Sequence, residues 1–456
     1  MADRYHFIGI GGAGMSVIAE LLAAGGAVVS GSDRSDSPVL ERLRSLGIDA
    51  RCGHDAHAVS ADATVVVSTA IRESNPEYRV ARERGQRIIH RSEALKLASQ
   101  GMRFVAVAGT HGKTTTSGML TVALAEAGYD PSAAVGSVIG RYGSGAHVGA
   151  SDIFIAEADE SDGSFLNYAP VIELVTNVEP DHMDRYGSPE EFEAVFLEFA
   201  DRLVEGGLLV CCAEDAGAAR LAEAASQRHR VLTYGRPERC LIPVDVQIHD
   251  VHVGADGMKA RVSYVDISVR ISLPLFGEHN VLNAVGAWTV GCELGVLPEV
   301  MAQSLSAFTG TARRFELRGQ VGSRRLFDDY AHHPTEVAAA LAQARMVAQG
   351  GPVTVVFQPH LFSRTLSFAD RFARALSTAD HVVLTDIYAA REDPVEGVDS
   401  SIISRHIQGA QWVRDMHEAT RVAAHLTGEN GVLLLMGAGD ITSCACDALR
   451  QWESLQ

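Results

Sequence analysis

The chain has 456 residues, enough for roughly three domains at about 150 residues each, and its 46% apolar and 21% charged composition is that of a soluble globular protein. A net charge of −18 excludes a general binder of nucleic acid or of anionic membrane. Anionic small molecules would need local basic or amide-lined pockets.

Only three of the 39 basic residues are lysines, Lys96, Lys113 and Lys259. GC-rich codon usage accounts for the scarcity, and it makes each lysine worth inspecting. No basic stretch followed by a long apolar run opens the chain, and no apolar run approaches the ~20 residues of a membrane span. The seven cysteines form no C-x-x-C pair, so reduced thiols and a cytoplasmic protein without membrane insertion are expected.

The first segment starts with a strand-like run, Tyr5–Ile10, then glycines and an apolar helical stretch from Met15 to Ala24. Further strand-like runs at 27–30 and 64–68 give a β-α-β rhythm that predicts a parallel sheet over residues 1–98. Gly9, Gly11, Gly12 and Gly14 form a G-x-G-x-x-G pattern after the first strand, with Asp33 closing the second. Such a pattern rests a pyrophosphate on a helix N-terminus and brings a carboxylate to a ribose. It suits NAD or any other nucleoside diphosphate, and tight packing with no ligand is the bland alternative.

The second segment, 99–310, opens with a strand at 104–108, a glycine-containing loop and a helix from about Lys113 to Ala127. The loop reads Gly109-Thr-His-Gly-Lys-Thr-Thr115. Gly109, Thr110, His111 and Gly112 are small or turn-compatible, so backbone amides can face phosphate oxygens. Lys113 can reach the β- and γ-phosphates, and the Thr114 hydroxyl, with Thr115 beside it, can meet Mg2+. The loop is compact, with Val107 where the general pattern has its first glycine. Glu157 in one strand-end loop, and Asp181 and Asp184 beside His182 in another, supply the acids that Mg2+·nucleotide chemistry needs, a neutral histidine being a less natural Mg2+ ligand than a carboxylate. Alternating polarity from about Pro243 to Phe276 predicts antiparallel strands attached to this core.

The third segment, 311–456, alternates buried-strand runs at 353–357, 381–385 and 432–436 with helical stretches. That predicts a further doubly wound α/β unit.

Taken together, several strings resemble the Mur ligases, the ATP-dependent amino-acid ligases of peptidoglycan precursor synthesis. These are the phosphate loop, Ala156-Glu-Ala-Asp-Glu-Ser-Asp162, Glu179-Pro-Asp-His-Met-Asp184, Gly277-Glu-His-Asn-Val-Leu-Asn283, Arg313-Arg-Phe315, Asp328-Asp-Tyr-Ala-His-His-Pro-Thr-Glu336, and Phe357-Gln-Pro-His360 with Ser363-Arg-Thr365. They fall in family order along the whole chain. The Glu-Ala-Asp-Glu-Ser-Asp and Asp-Asp-Tyr-Ala-His-His forms look more like the alanine-adding branch than the murein tripeptide ligases, which share much of the set.

The resemblance implies three α/β domains. The first is a Rossmann-like UDP-binding domain, the second a central P-loop ATPase domain with an antiparallel portion, and the third a Rossmann-like amino-acid domain. It further implies UDP-N-acetylmuramate and L-alanine as substrates, ATP as co-substrate and Mg2+ as cofactor, in a monomer or homodimer. Gly9, Gly11, Gly12, Gly14 and Asp33 would then hold the UDP part, which displaces the NAD reading.

By the same resemblance Thr114, Glu157 and His182 are the Mg2+ ligands. Asn280 meets adenine with His279 and Asn283 nearby, Arg314 faces phosphate and Asp329 the ribose, and Tyr330 lies on the substrate side. His332, His333, His360 and Arg364 line the alanine and carboxylate site. Some relatives carry a carbamylated lysine at a second metal, and no lysine lies between Lys113 and Lys259 to serve that purpose here.

Overall fold

The structure is a computed structural model and describes residues 2–390 and 392–454, with every side chain among them except that of Asp184. Three sheets carry the fold, of five, ten and six strands. By contacts the chain forms two compact units. One comprises Met1–His252, Lys259–Pro274 and Val281–Thr309; the other comprises Val253–Met258, Leu275–Asn280 and Gly310–Gln456.

The five-stranded sheet is built from β1 (Arg4–Ile8), β2 (Val28–Asp33), β3 (Asp49–Cys52), β4 (Thr64–Val67) and β5 (Ile88–His90), in the order β3-β2-β1-β4-β5. All its pairings are parallel. The helices between them are α1 (Ala13–Ala24), α2 (Pro38–Ser45), α3 (Pro76–Glu83) and α4 (Arg91–Ala98). Phe7, Ile8, Val65 and Val66 have no exposed surface, as strands covered on both faces require.

The ten-stranded sheet begins with β6 (Arg103–Ala108), followed by α5 (Lys113–Glu126), β7 (Ser132–Ile139), β8 (Ser144–His147), β9 (Ile153–Glu157) and β10 (Ile172–Val175). Next come α6 (Met183–Tyr186), α7 (Pro189–Ala200), β11 (Leu208–Cys212), α8 (Ala216–Ala225) and β12 (Arg230–Gly235). It ends with β13 (Val246–Gly254), β14 (Gly257–Tyr264), β15 (Ile267–Leu273), α9 (Glu278–Glu293) and α10 (Pro298–Ser304). The order is β15-β14-β13-β12-β11-β10-β6-β9-β7-β8.

Burial alternates along β15, as the alternating polarity of that stretch predicts. The antiparallel pairing of β7 with β8 has no such signature, because Gly136, Gly140, Gly143 and Gly145 interrupt the pattern. Val107 pairs with Glu157 and Ala108 with Val175, so β6, β9 and β10 end level. The phosphate loop and both acidic loops therefore leave one edge of this sheet.

The six-stranded sheet contains β16 (Glu316–Val321), β17 (Arg324–Asp329), α11 (Pro334–Ala348), β18 (Val353–Phe357), α12 (Phe362–Leu376) and β19 (His381–Leu384). It continues with α13 (Ser401–Ser404), β20 (Gln411–Trp412), α14 (Met416–Leu426), β21 (Val432–Met436) and α15 (Ala445–Glu453). The order is β16-β17-β21-β18-β19-β20, parallel except for the β16–β17 hairpin. The sequence pattern does not predict that hairpin: Arg318, Gln320, Arg324 and Arg325 give it a polar look, and it lies at an edge. Among the described residues no helix is long and apolar enough to cross a membrane.

Candidate active site

Several helices here begin on a side chain that takes up a free amide. Ser37, Asn75, Ser188, Asp215, His333 and Asp415 do this for α2, α3, α7, α8, α11 and α14. Helices α1 and α5, like α6, α10, α12, α13 and α15, have no side-chain cap among the described residues, and they start at Gly12 and Gly112. Both follow the glycine loops singled out in the sequence, and uncapped amides at a helix N-terminus are what a phosphate group uses.

The α5 loop is held from behind. Asn177 just past β10 accepts from the His111 amide (2.8 Å) and donates to the His111 carbonyl (2.9 Å), while Thr176 donates to that same carbonyl (2.5 Å). The Thr110 hydroxyl donates to the Glu179 carbonyl (2.8 Å). A side chain at Gly109 (φ +127°) would run into the Thr176 hydroxyl, and one at Gly112 (φ +82°) into Asn283. Glycine is thus required at both positions by backbone conformation and by close approach.

Lys113 Nζ donates to the Gly109 carbonyl (2.5 Å), to the Thr110 carbonyl (3.3 Å) and to Glu160 Oε2 (2.7 Å). Burial works against the lysine charge, but Glu160 and Asp159 outweigh it and hold the Lys113 pKa above its usual value. His182 stands in the left-handed region (φ +56°) at the start of α6, its Nε2 3.8 Å from Glu160 Oε1 and 3.7 Å from Asp181 Oδ2. Glu157 ends β9 and accepts from the Gly136 amide (2.7 Å). Thr114 is buried in the first turn of α5.

In the N-terminal glycine loop the Gly11 amide donates to Asp33 Oδ2 (2.9 Å), and the Arg34 amide donates to Oδ1 (2.7 Å). A side chain at Gly11 would strike Leu40 and Asp33. Arg91, at the start of α4, reaches from the first sheet to the second, with Nη2 2.8 Å from Asp159 Oδ2 and 3.3 Å from Asp162 Oδ2. Its Nη1 borders Gly14.

In the second unit both oxygens of Asp329 accept backbone amides, from Phe315 (2.8 Å) and Ala331 (2.7 Å). Burial nevertheless pushes the Asp329 carboxyl up to about 6, against the pull of Arg314. The Arg313 and Arg314 guanidiniums lie 4.7 and 5.2 Å from the centre of the Tyr330 ring. His332, His360 and Arg364 are brought together: the two imidazoles are 5.8 Å apart edge to face, and Arg364 Nη1 is 3.3 Å from His360 Nδ1.

Burial drives the His332 pKa down to about 3, and its Nδ1 pairs with the Tyr330 carbonyl (2.9 Å). His333 plays a separate part. It caps α11, forms a capping box with Glu336, and packs edge-on against Phe368. Asn280 is buried and donates to the Phe276 carbonyl (2.7 Å). His279 is half-buried, and desolvation lowers its pKa to about 4.

Three family models match the chain in succession. They are the Mur ligase family catalytic domain over residues 4–103, the Mur ligase middle domain over 107–291, and the Mur ligase glutamate ligase domain over 313–439. The chain belongs to the Mur ligase family.

A relative from Kineococcus radiotolerans, named UDP-N-acetylmuramate–L-alanine ligase, is 50% identical over 98% of this chain and 95% of its own. One of the same name from Paenarthrobacter aurescens is 48% identical over 96% and 95%. The solved UDP-N-acetylmuramate–alanine ligase of Thermotoga maritima superimposes with a TM-score of 0.82 at 27% identity, covering 99% of this chain and all of that one. As a Mur ligase the chain is an ATP-dependent enzyme that forms a carbon–nitrogen bond to an amino acid.

Three features of this Mur ligase site escape sequence reasoning. Glu160 lies inside one of the family-like motifs, but nothing in the string separates it from Asp159 or Asp162. Thr176 and Asn177 brace the loop from a neighbouring strand end, which only the sheet order reveals. Arg91 carries no local signal at all.

Proposed function

We propose that this Mur ligase joins L-alanine to the lactyl carboxylate of UDP-N-acetylmuramate, releasing ADP and phosphate. The observation that carries the reading is the pair of relatives of that name at 50% and 48% identity over almost the whole chain. The uncapped α5 N-terminus with the Lys113 ammonium beside it supports the ATP half.

A lactyl carboxylate oxygen attacks the γ-phosphorus of ATP, the bond to the β-phosphate oxygen breaks, and an acyl phosphate and ADP result. The alanine amine, having lost a proton, then attacks the acyl carbon, and the tetrahedral intermediate expels phosphate. Lys113 and the loop amides counter the charge on the transferring phosphoryl group, where fixed positive charge contributes most. When ATP arrives, Lys113 exchanges part of its hold on Glu160 for phosphate oxygen.

Thr114, Glu157 and His182 are the residues that would hold Mg2+, with Glu160 and Asp181 adding carboxylate oxygens beside His182. This oxygen-rich donor set suits a hard cation, and Mg2+ there would supply further charge neutralisation on the phosphates. Asn280, His279 and Asn283 serve the adenine, Arg314 a phosphate and Asp329 the ribose. Gly9, Gly11, Gly12, Gly14 and Asp33 hold the UDP pyrophosphate and its ribose.

His332, His360 and Arg364 form the alanine and carboxylate pocket, with Tyr330 at its arginine-covered side. A histidine with a pKa near 3 is a poor proton acceptor for an amine. His332 therefore positions through its ring nitrogen, and the proton-accepting part falls to His360. Of the three histidines, His333 is the one whose surroundings are those of a helix cap.

The deciding assay follows ADP release with UDP-N-acetylmuramate while each candidate amino acid is omitted in turn. Release should require alanine and yield the UDP-muramoyl-alanine product by mass. Release that ignores alanine, or that requires a tripeptide, overturns the reading.

A further inference from the structure

A second cluster of metal-ligating side chains lies in the C-terminal unit, on α14, α15 and the 3-10 turn Ile441–Cys444 that leads into α15. His417 is in the first turn of α14, Cys444 caps the start of α15, and Asp447 follows in the first turn of α15. Trp452 Nε1 donates to the Ala424 carbonyl (2.9 Å), so the 424/452 contact follows the 417/447 contact in the same direction along both helices. The two helices therefore run parallel, and their N-terminal turns meet at this cluster.

His417 Nδ1 is 2.6 Å from Asp447 Oδ2 and 3.6 Å from Cys444 Sγ. The three potential ligand atoms all lie within 4.8 Å of one another. The Cys444 side chain is fully buried, while His417 is 47% exposed and Asp447 24%. The cluster thus has a buried sulfur at its base and an open side toward water.

We propose that Cys444 Sγ, His417 Nδ1 and Asp447 Oδ2 bind a divalent cation of the Zn2+ class, with the fourth position open to solvent on the His417 side.

Sulfur at about 2.3 Å and nitrogen at about 2.0 Å from a tetrahedral cation lie roughly 3.5 Å apart, close to the separation already present. The Asp447 carboxylate must move outward by under about 1 Å, since nitrogen and oxygen ligands of such a cation are roughly 3.3 Å apart. A thiolate and a carboxylate balance the two positive charges, and neutral imidazole completes the set. Binding takes the proton from the thiol, while the single imidazole proton of His417 resides on Nε2 so that Nδ1 is free to bind, leaving sulfur–metal and nitrogen–metal bonds. A soft sulfur ligand selects Zn2+, Co2+ or Cd2+ over Mg2+, which separates this site from the ATP site.

The test uses the full-length, metal-free protein in excess Mg2+, titrated with Co2+ and followed by the thiolate-to-cobalt charge-transfer absorption. The expected result is a band that saturates at one equivalent and is bleached by Zn2+, with Zn2+ raising the melting temperature. His417→Ala and Asp447→Asn, at partly exposed positions that tolerate change, should abolish or strongly weaken the band while keeping the native circular dichroism. Cys446→Ser, at the exposed cysteine two residues on, should keep it. Absence of the band in the unaltered protein, its full retention in His417→Ala, or its loss in Cys446→Ser overturns the proposal and leaves an ordinary His–Asp hydrogen bond over a buried cysteine.

Discussion

Lys113 Nζ and Glu160 Oε2 meet at 2.7 Å beneath the phosphate loop, with the glutamate side chain 1% exposed. The contact sets the lysine in the loop before any phosphate arrives. It also ties stability to catalysis, because removing one partner strands the other charge in a buried place, at a cost of about 3–5 kcal/mol. Lys113→Met should therefore lose at least ~100-fold in turnover and also melt at a lower temperature. The double variant Lys113→Met/Glu160→Gln should recover most of the melting temperature and none of the activity. Parallel melting curves and ADP-release rates decide it, and a double variant no more stable than the single one would refute the coupling.

Arg91 ties the glycine-loop sheet to the acidic loop of the ATP-site sheet, through Asp159 and Asp162. The largest influence on it is burial, which opposes its charge, yet the two carboxylates hold its pKa above the usual arginine value. Asp159 is correspondingly held below the usual carboxylate range, against the upward push of burial. Arg91→Ala is expected to raise the KM for the sugar nucleotide more than it lowers kcat, since Gly14 borders the guanidinium. Arg91→Lys should restore only part of this, because an ammonium can replace Nη2 between the two carboxylates but not also the second nitrogen, Nη1, that borders Gly14. Steady-state kinetics on both variants would show the split.

Glu173 on β10 is fully buried, and both carboxyl oxygens lack a hydrogen-bond partner among the described residues. Burial raises its pKa well above the usual range, with Asp201 adding to the effect. A carboxyl raised in the folded state contributes stability below its unfolded pKa and loses it as pH climbs toward the folded value. Glu173→Leu should thus stabilise the protein at neutral pH by about 1–3 kcal/mol, with an advantage that grows as pH rises above about 4.5. Denaturant melts at several pH values measure this. An advantage that is flat with pH would mean that the gain comes from packing alone.

The parallel strands are legible in the sequence because burial on both faces makes them continuous apolar runs: 208–212, 353–357 and 432–436 coincide with β11, β18 and β21. The phosphate loop is legible for a similar reason. It is contiguous, and its glycines serve a local backbone need. What stays hidden depends on neighbours distant in sequence: Thr176 and Asn177 behind the loop, Arg91 across two sheets, and the hairpin β16–β17. His333 illustrates the limit from the other side. Adjacent histidines look equivalent in a string, yet the capping geometry of α11 engages one and leaves its neighbour His332 facing His360.

That difference between neighbours carries a pH signature. His332 titrates near 3 when folded, against about 6.5 when unfolded, because burial disfavours the imidazolium. A base whose folded pKa is lowered contributes stability that is present above the unfolded value and is lost as pH falls through 6.5 toward 3. The nearby Asp329 acts in the opposite sense, since its folded pKa of about 6 exceeds the ordinary 3.8, so its contribution is present below 3.8 and is lost as pH rises through 6. Between about pH 4 and 6 the two therefore oppose each other. His332→Gln should make the protein less sensitive to acid in that window, and Asp329→Asn should make it more so, each by about 2–3 kcal/mol at most. Melting temperatures of the three proteins from pH 4 to 8 should converge above pH 6.5 for the His332 comparison and diverge below it. Curves that stay parallel throughout would show that His332 is not held neutral by its surroundings.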